Sequence, residues 1–150
     1  MLSNRLVAFI EEHAATITRR VHKRIHREPR LKQITKLSQA QLLGRFKDVC
    51  LHLARWLALK DNGLVESRYE QLGEERLREG IPLHEVLLVT QLFKRELIDF
   101  AREQAQDQTA YEIFAEAELE QLVGDFFDQV IFYIARGYER KLRITLRRSA

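Results

Sequence analysis

Five histidines, one cysteine and several arginines beside apolar stripes are the side chains of this 150-residue chain that could carry chemistry. His22 and His26 are the one histidine pair with metal-ligand spacing, four residues apart on a helical pattern. Their neighbours are Arg19, Arg20, Lys23, Arg24 and Arg27, so a bound cation would sit in a repulsive field. A basic solvated face is the preferred reading, and no metal site is assigned. His84 opens "HEVLL", which begins like a zinc-protease motif but lacks the second histidine four residues on. It falls in the first turn of its helix, a position near solvent, and is not assigned as a haem ligand. Cys50 lies on the apolar side of its helix and reads as a small hydrophobe. Arg55, Arg76 and Arg95 fall beside apolar stripes, where an arginine stem packs on the core and its head stays in water. The sharper alternative is a buried arginine paired with a carboxylate such as Glu75 or Glu96, framing a small anionic-ligand pocket. Neither phosphate-binding glycine loop occurs, and no Glu-x-x-His supports a di-iron bundle. No catalytic residue, cofactor or metal is assigned, and the chain is expected not to be an enzyme.

The elements that would position these residues are helical almost throughout. Leu6, Ile10, Ala14, Ile17, Val21 and Ile25 step by fours and threes, one face of a helix that Ser3 or Asn4 can cap and Pro29 ends. Ser38 with Gln41 reads as a capping box for a helix whose face is Leu42, Phe46, Val49 or Cys50, Leu53 and Trp56 or Leu57. "KDNG" at 60–63 closes it. A shorter helix near 65–79 carries Tyr69, Leu72, Arg76 and Leu77. Gly80 and Pro82 then form a structural corner, glycine just past one helix and proline in the first turn of the next. The next helix runs to about 104 with Leu83, Val86, Leu87, Thr90, Phe93, Leu97 and Ile98 inward. A second capping box, Thr109 with Glu112, opens a helix that nothing breaks until about 147. The fold class is therefore all-α, about five helices in one domain spanning 1–150.

That last helix would be about 57 Å long. Phe114, Ala117, Leu122, Val123 and Phe126 spread around its circumference, whereas Phe127, Ile131, Ile134, Tyr138 and Leu142 narrow to a seam. A narrow seam on an overhanging helix predicts pairing with a second copy, a homodimer through the C-terminal helix.

The bulk numbers agree with an ordinary globular chain: 45% hydrophobic, 31% charged, two prolines and six glycines. No apolar run approaches the roughly 20 residues of a membrane span, no signal peptide is visible, and a single cysteine fits a reducing cytoplasm. A net charge of +3 hides a polarised distribution. Residues 19–36 carry +7, residues 136–148 carry +5, and residues 37–135 carry −8. If the chain ends lie together, the two basic zones share one end of the molecule. The patch of Arg19, Arg20, Lys23, Arg24, Arg27 and Arg30 could then meet an anionic partner.

The passage "YEQLGEERLREGIPLHEVLLVTQLFKRELIDF", with "LHLARWLAL" before it and "FFDQVIFYIARGYER" after, resembles the RsbRD-type N-terminal sensory domain. That family fronts stressosome proteins of the RsbR kind and some bacterial histidine kinases and transcription regulators. The likeness covers about residues 50–140. It implies a globin-like or four-helix-bundle sensory domain that lacks haem, dimerises, and passes a signal out through its last helix. On that expectation residues 136–150 begin a linker helix to an effector such as a histidine kinase, although "RKLRITLRRSA" ends without one. The alternatives are a nucleic-acid or anionic-surface module and a haem- or ligand-binding globin relative. No aromatic residue interleaves with the basic ones, which disfavours nucleic acid.

Overall fold

The computed structural model describes residues 2–104 and 110–149, with side chains placed for 4–104 and 116–149. Among these residues there are five α-helices and one short 3-10 turn, and no strand. They are α1 (Leu2–His26), the turn Ile34–Lys36, α2 (Gln39–Leu59), α3 (Asn62–Arg78), α4 (Leu83–Gln104) and α5 (Ala110–Ser149). None is long and apolar enough to cross a membrane. The all-α architecture with its long last helix is the one the hydrophobic pattern predicts.

Every member of the six-residue stripe of α1, from Leu6 to Ile25, is buried. The helix begins at Leu2, so Asn4 lies inside its first turn and does not cap it. Ser3, the Thr109–Glu112 box and Phe114 lie outside the residues whose side chains are described. At α2 the predicted capping box is present in full: Gln41 N–H donates to Ser38 Oγ, and Ser38 N–H donates to Gln41 Oε1. Lys60 ends α2 in the left-handed conformation at φ 55°. Asp61 then caps α3 by accepting from the amides of Gly63 and Leu64, so α3 starts three residues earlier than the apolar pattern implies.

The Gly80–Pro82 corner has a specific geometry. Ile81 N–H donates to Arg76 O (3.1 Å) and Gly80 N–H to Leu77 O (3.0 Å), the paired closing bonds of a Schellman motif, with Gly80 at φ 74°. Pro82 sits one position earlier than expected, as the cap of α4. Its carbonyl accepts from the amides of Glu85 and Val86, and the helix proper begins at Leu83.

α5 packs chiefly on α3 and α4, and α1 packs on α2 and α4. A run of rings joins the layers: Phe46 meets Phe93, Phe93 meets Phe127, and Phe127 meets Phe126, which also contacts Tyr69 and Trp56. α3 and α5 touch backbone to backbone. A Cβ on Gly73 would overlap Ile134 O and stand 2.8 Å from Tyr138 N; one on Gly137 would overlap Glu70 O. Two glycines on facing helices thus permit a crossing closer than any other residue pair would allow.

One tie comes from a residue that a sequence presents as ordinary helix polarity. Glu85, 2% exposed in the first turn of α4, accepts from Gln33 N–H (2.9 Å) and Ile34 N–H (3.1 Å). It thereby fixes the α1–α2 connection, whose Leu31 and Ile34 are buried.

Candidate functional site

Three places gather side chains with functional potential: a small, partly open cavity, a basic groove beside α1, and the outer face of α5.

The cavity, about 70 Å³, lies among α2, α3, α4 and α5. Its floor is apolar, with Phe46, Val86, Phe93, Phe127 and Val130; Arg45, Arg68, Arg76 and His52 also line it. That volume holds a few waters or a small group and is far below the roughly 300–1,000 Å³ of a drug-sized site, so it has no room for haem. His84 is exposed.

Arg76 is 8% exposed, and burial lowers its pKa, with Arg45 adding to the effect. Its Nη1 donates to Glu79 Oε1 at 2.7 Å, whereas Glu75 stands 3.9 Å away. Arg45 binds the same Glu79. Arg76 thus departs from the preferred reading of a head left in water: it is buried and paired, and its main partner is Glu79 rather than Glu75 or Glu96. Arg55 and Arg95 are both exposed, and Glu96 is engaged by Arg20 and Arg24 instead. Cys50 is fully buried, and burial pushes its thiol up to about 12, so it stays protonated and inert as a nucleophile.

His52 Nδ1 and the Tyr69 hydroxyl are 3.0 Å apart beside the cavity. Burial, then Arg68, lowers the His52 pKa, and burial raises that of Tyr69. Burial and His26 lower His22 likewise. For a base held neutral in the folded state, the unfolded chain binds the proton first as pH falls. Stability is accordingly expected to be full above the ordinary histidine value of about 6.5 and to decline as pH drops below it. Urea midpoints at stepped pH check this, and His52→Gln is expected to flatten the slope. An unchanged slope in that variant would assign the effect to other groups.

His22 and His26 stack with ring centroids 4.4 Å apart. Among the described residues no third His, Cys, Asp or Glu joins them to make a metal-binding group.

The predicted seam of α5 needs correcting. Phe127 and Ile134 are each 1% exposed within the monomer, Ile131 and Tyr138 are half-buried, and only Leu142 is exposed. Phe127 packs on Phe93 of α4, Ile134 lies at the Gly73 crossing, and the Tyr138 hydroxyl donates to Ile81 O (2.9 Å) at the corner. Most of the seam is covered by the chain itself. An adjoining stripe is more open: Phe132 is 57% and Leu146 61% exposed, and Phe132, the half-buried Ala135, Glu139, Leu142 and Leu146 step by three and four. Every residue from 142 to 149 is exposed. Phe132 lies inside the continuous apolar run 130–135, so the sequence does not mark it out as the exposed member.

The two basic zones meet different partners. Arg136 and Arg140 of α5 bind Glu66 and Glu70 of α3. Of the first zone, Arg20, Lys23, Arg24, Arg27 and Arg30 line one groove against α4, while Arg19 is exposed outside it. Arg20 Nε donates to Glu96 (2.7 Å) and its other nitrogens to Glu103; Arg24 Nη1 donates to Glu96 (2.8 Å) and Asp99 (3.3 Å). These charge-assisted bonds raise the pKa values of Arg20 and Arg24 and fasten α1 to α4.

Neither protein-family models, nor the curated proteins, nor the solved structures give a match to this chain.

Proposed function

We propose that the chain is a non-catalytic bacterial signalling module, a sensor and dimerisation domain of the RsbRD type whose output element is α5. The observation that supports this reading best is the exposed stripe of Phe132, Leu142 and Leu146 on a helix whose last eight described residues are all exposed. A three-four apolar spacing on an exposed helix suits association with a second copy or with the helix of an effector such as a histidine kinase. The cavity among α2–α5 and the corner bonded to Tyr138 lie where a change in packing would reach α5.

Solution mass by light scattering tests the pairing. The intact chain is expected to be dimeric, and Phe132→Glu/Leu142→Glu to be a folded monomer by circular dichroism. Charges at Ile131 and Ile134 would be uninformative, because Ile134 is buried and its loss would unfold the monomer. A monomeric parent, or a dimer indifferent to both charges, would remove α5 from this role. Residues 136–148 carry six cations against Glu139, so a parallel pair brings like charges together. Parallel dimers are therefore expected to tighten as salt rises.

A further inference from the structure

We infer that the groove between the C-terminal half of α1 and α4 is a binding site for a compact polyanion carrying two or more phosphoryl groups. The groove encloses about 710 Å³. Six cationic side chains line it, Arg20, Lys23, Arg24, Arg27, Arg30 and Arg95, against two carboxylates, Glu28 and Glu96. Both carboxylates are already taken. Glu96 receives Arg20 and Arg24, and Glu28 accepts from Arg30 Nε at 2.6 Å. Arg20 and Arg24 are further held by Glu103 and Asp99. Lys23, Arg27 and Arg95 are left with no ion pair or side-chain hydrogen bond among the described residues. Three uncommitted cations in one concavity, with every nearby carboxylate engaged, is an arrangement completed by an external anion.

The spacing favours concentrated charge. Lys23 stands in the last turn of α1, Arg27 just past its end, and Arg95 lines the same groove from α4. Three uncommitted cations lining one groove suit a ligand with several negative charges in a small volume, and the forked guanidinium suits phosphoryl oxygens. A partner helix spreads its carboxylates over successive turns and needs a long apolar track, whereas the floor offers only Leu88 and Leu92, one turn apart. The bonds from Arg20 and Arg24 to α4 hold the walls in place before any ligand arrives, which lowers the ordering cost of binding.

The shared chemistry could come from a free polyphosphate or from a phosphorylated lipid headgroup, and the test separates them. Inorganic tripolyphosphate is titrated calorimetrically into the full chain, its Lys23→Gln/Arg27→Gln/Arg95→Gln variant, and an Arg143→Gln/Arg147→Gln/Arg148→Gln control that loses the same charge from the exposed end of α5. One-to-one binding is expected for the parent and the control, weakening as salt rises, with a loss of roughly tenfold or more in the groove variant. Absence of binding by the parent at low salt, or an equal loss in both variants, would overturn the proposal. Flotation with vesicles containing phosphatidylinositol bisphosphate, beside phosphatidylserine vesicles of equal charge, identifies the source. Selective, groove-dependent capture by the former assigns a lipid headgroup; capture by neither, with tripolyphosphate still bound, assigns a soluble ligand. Equal capture of all three proteins by both vesicle types, with no tripolyphosphate binding, would mean a general response to negative surfaces and sink the groove.

Discussion

Gly73→Ala is expected to destabilise the fold by about 3 kcal/mol, at the upper end of overpacking costs, and to lower Tm by roughly 10 °C. The added methyl meets the Ile134 carbonyl and the Tyr138 amide, both backbone, so no rotamer change relieves the overlap. Either α3 moves outward from α5 or the local helix bonds distort, and outward movement also loosens the α3–α5 ring contact of Tyr69 with Phe126. Gly137→Ala meets Glu70 O from the other side, and a comparable cost is expected. Gly44 supplies the control, because it is helical and exposed with nothing within 4 Å of an added Cβ. Gly44→Ala should stabilise by about 0.5–1 kcal/mol through reduced freedom of the unfolded chain. Thermal denaturation of the three variants checks the set, and equal small effects at all three glycines would contradict the close crossing.

The second large effect belongs to Glu85. Glu85→Ala removes the acceptor of two backbone amides, Gln33 and Ile34, in a connection whose Leu31 and Ile34 are buried. Leaving such donors without partners costs about 1–3 kcal/mol each, so a total of about 3 kcal/mol is expected, less whatever water recovers. Glu85→Gln keeps one carbonyl oxygen and should lose less than half as much. Hydrogen exchange locates the damage: the amides of Gln33 and Ile34 should lose protection in the alanine variant while those of α3 keep theirs. A uniform loss of protection would mean that the tie is not local.

Much of this fold is legible in the sequence because helix periodicity and capping are local. The α1 stripe, the Ser38–Gln41 box and the Gly80 corner each depend on residues within a few positions of one another. What escaped is non-local. Gly73 and Gly137 are 64 residues apart, and alone each reads as a mildly unfavourable helix residue. Glu85 in a first turn reads as a carboxylate near the positive end of a helix dipole, and nothing nearby points to residues 33 and 34 as its partners. The α5 seam shows the same limit from another side. The spacing of Phe127, Ile134 and Tyr138 correctly marks a covered face, but periodicity does not say what covers it, and α3 and α4 of the same chain do. The candidate site was half readable. The basic run at 19–30 is plain in the sequence, whereas the distinction between engaged Arg20 and Arg24 and unengaged Lys23 and Arg27 needs α4 alongside.

The glycine crossing also works as a bearing. With no side chains interposed, no rotamer there can absorb a displacement, and a tilt of α3 is handed to α5 as rigid motion. From Gly137 to the end of α5 at Ser149 the helix extends roughly 18 Å at its regular rise. About 10° of tilt at the fulcrum therefore swings the tip by about 3 Å, and the arm that moves carries Leu142, Leu146 and the terminal arginines.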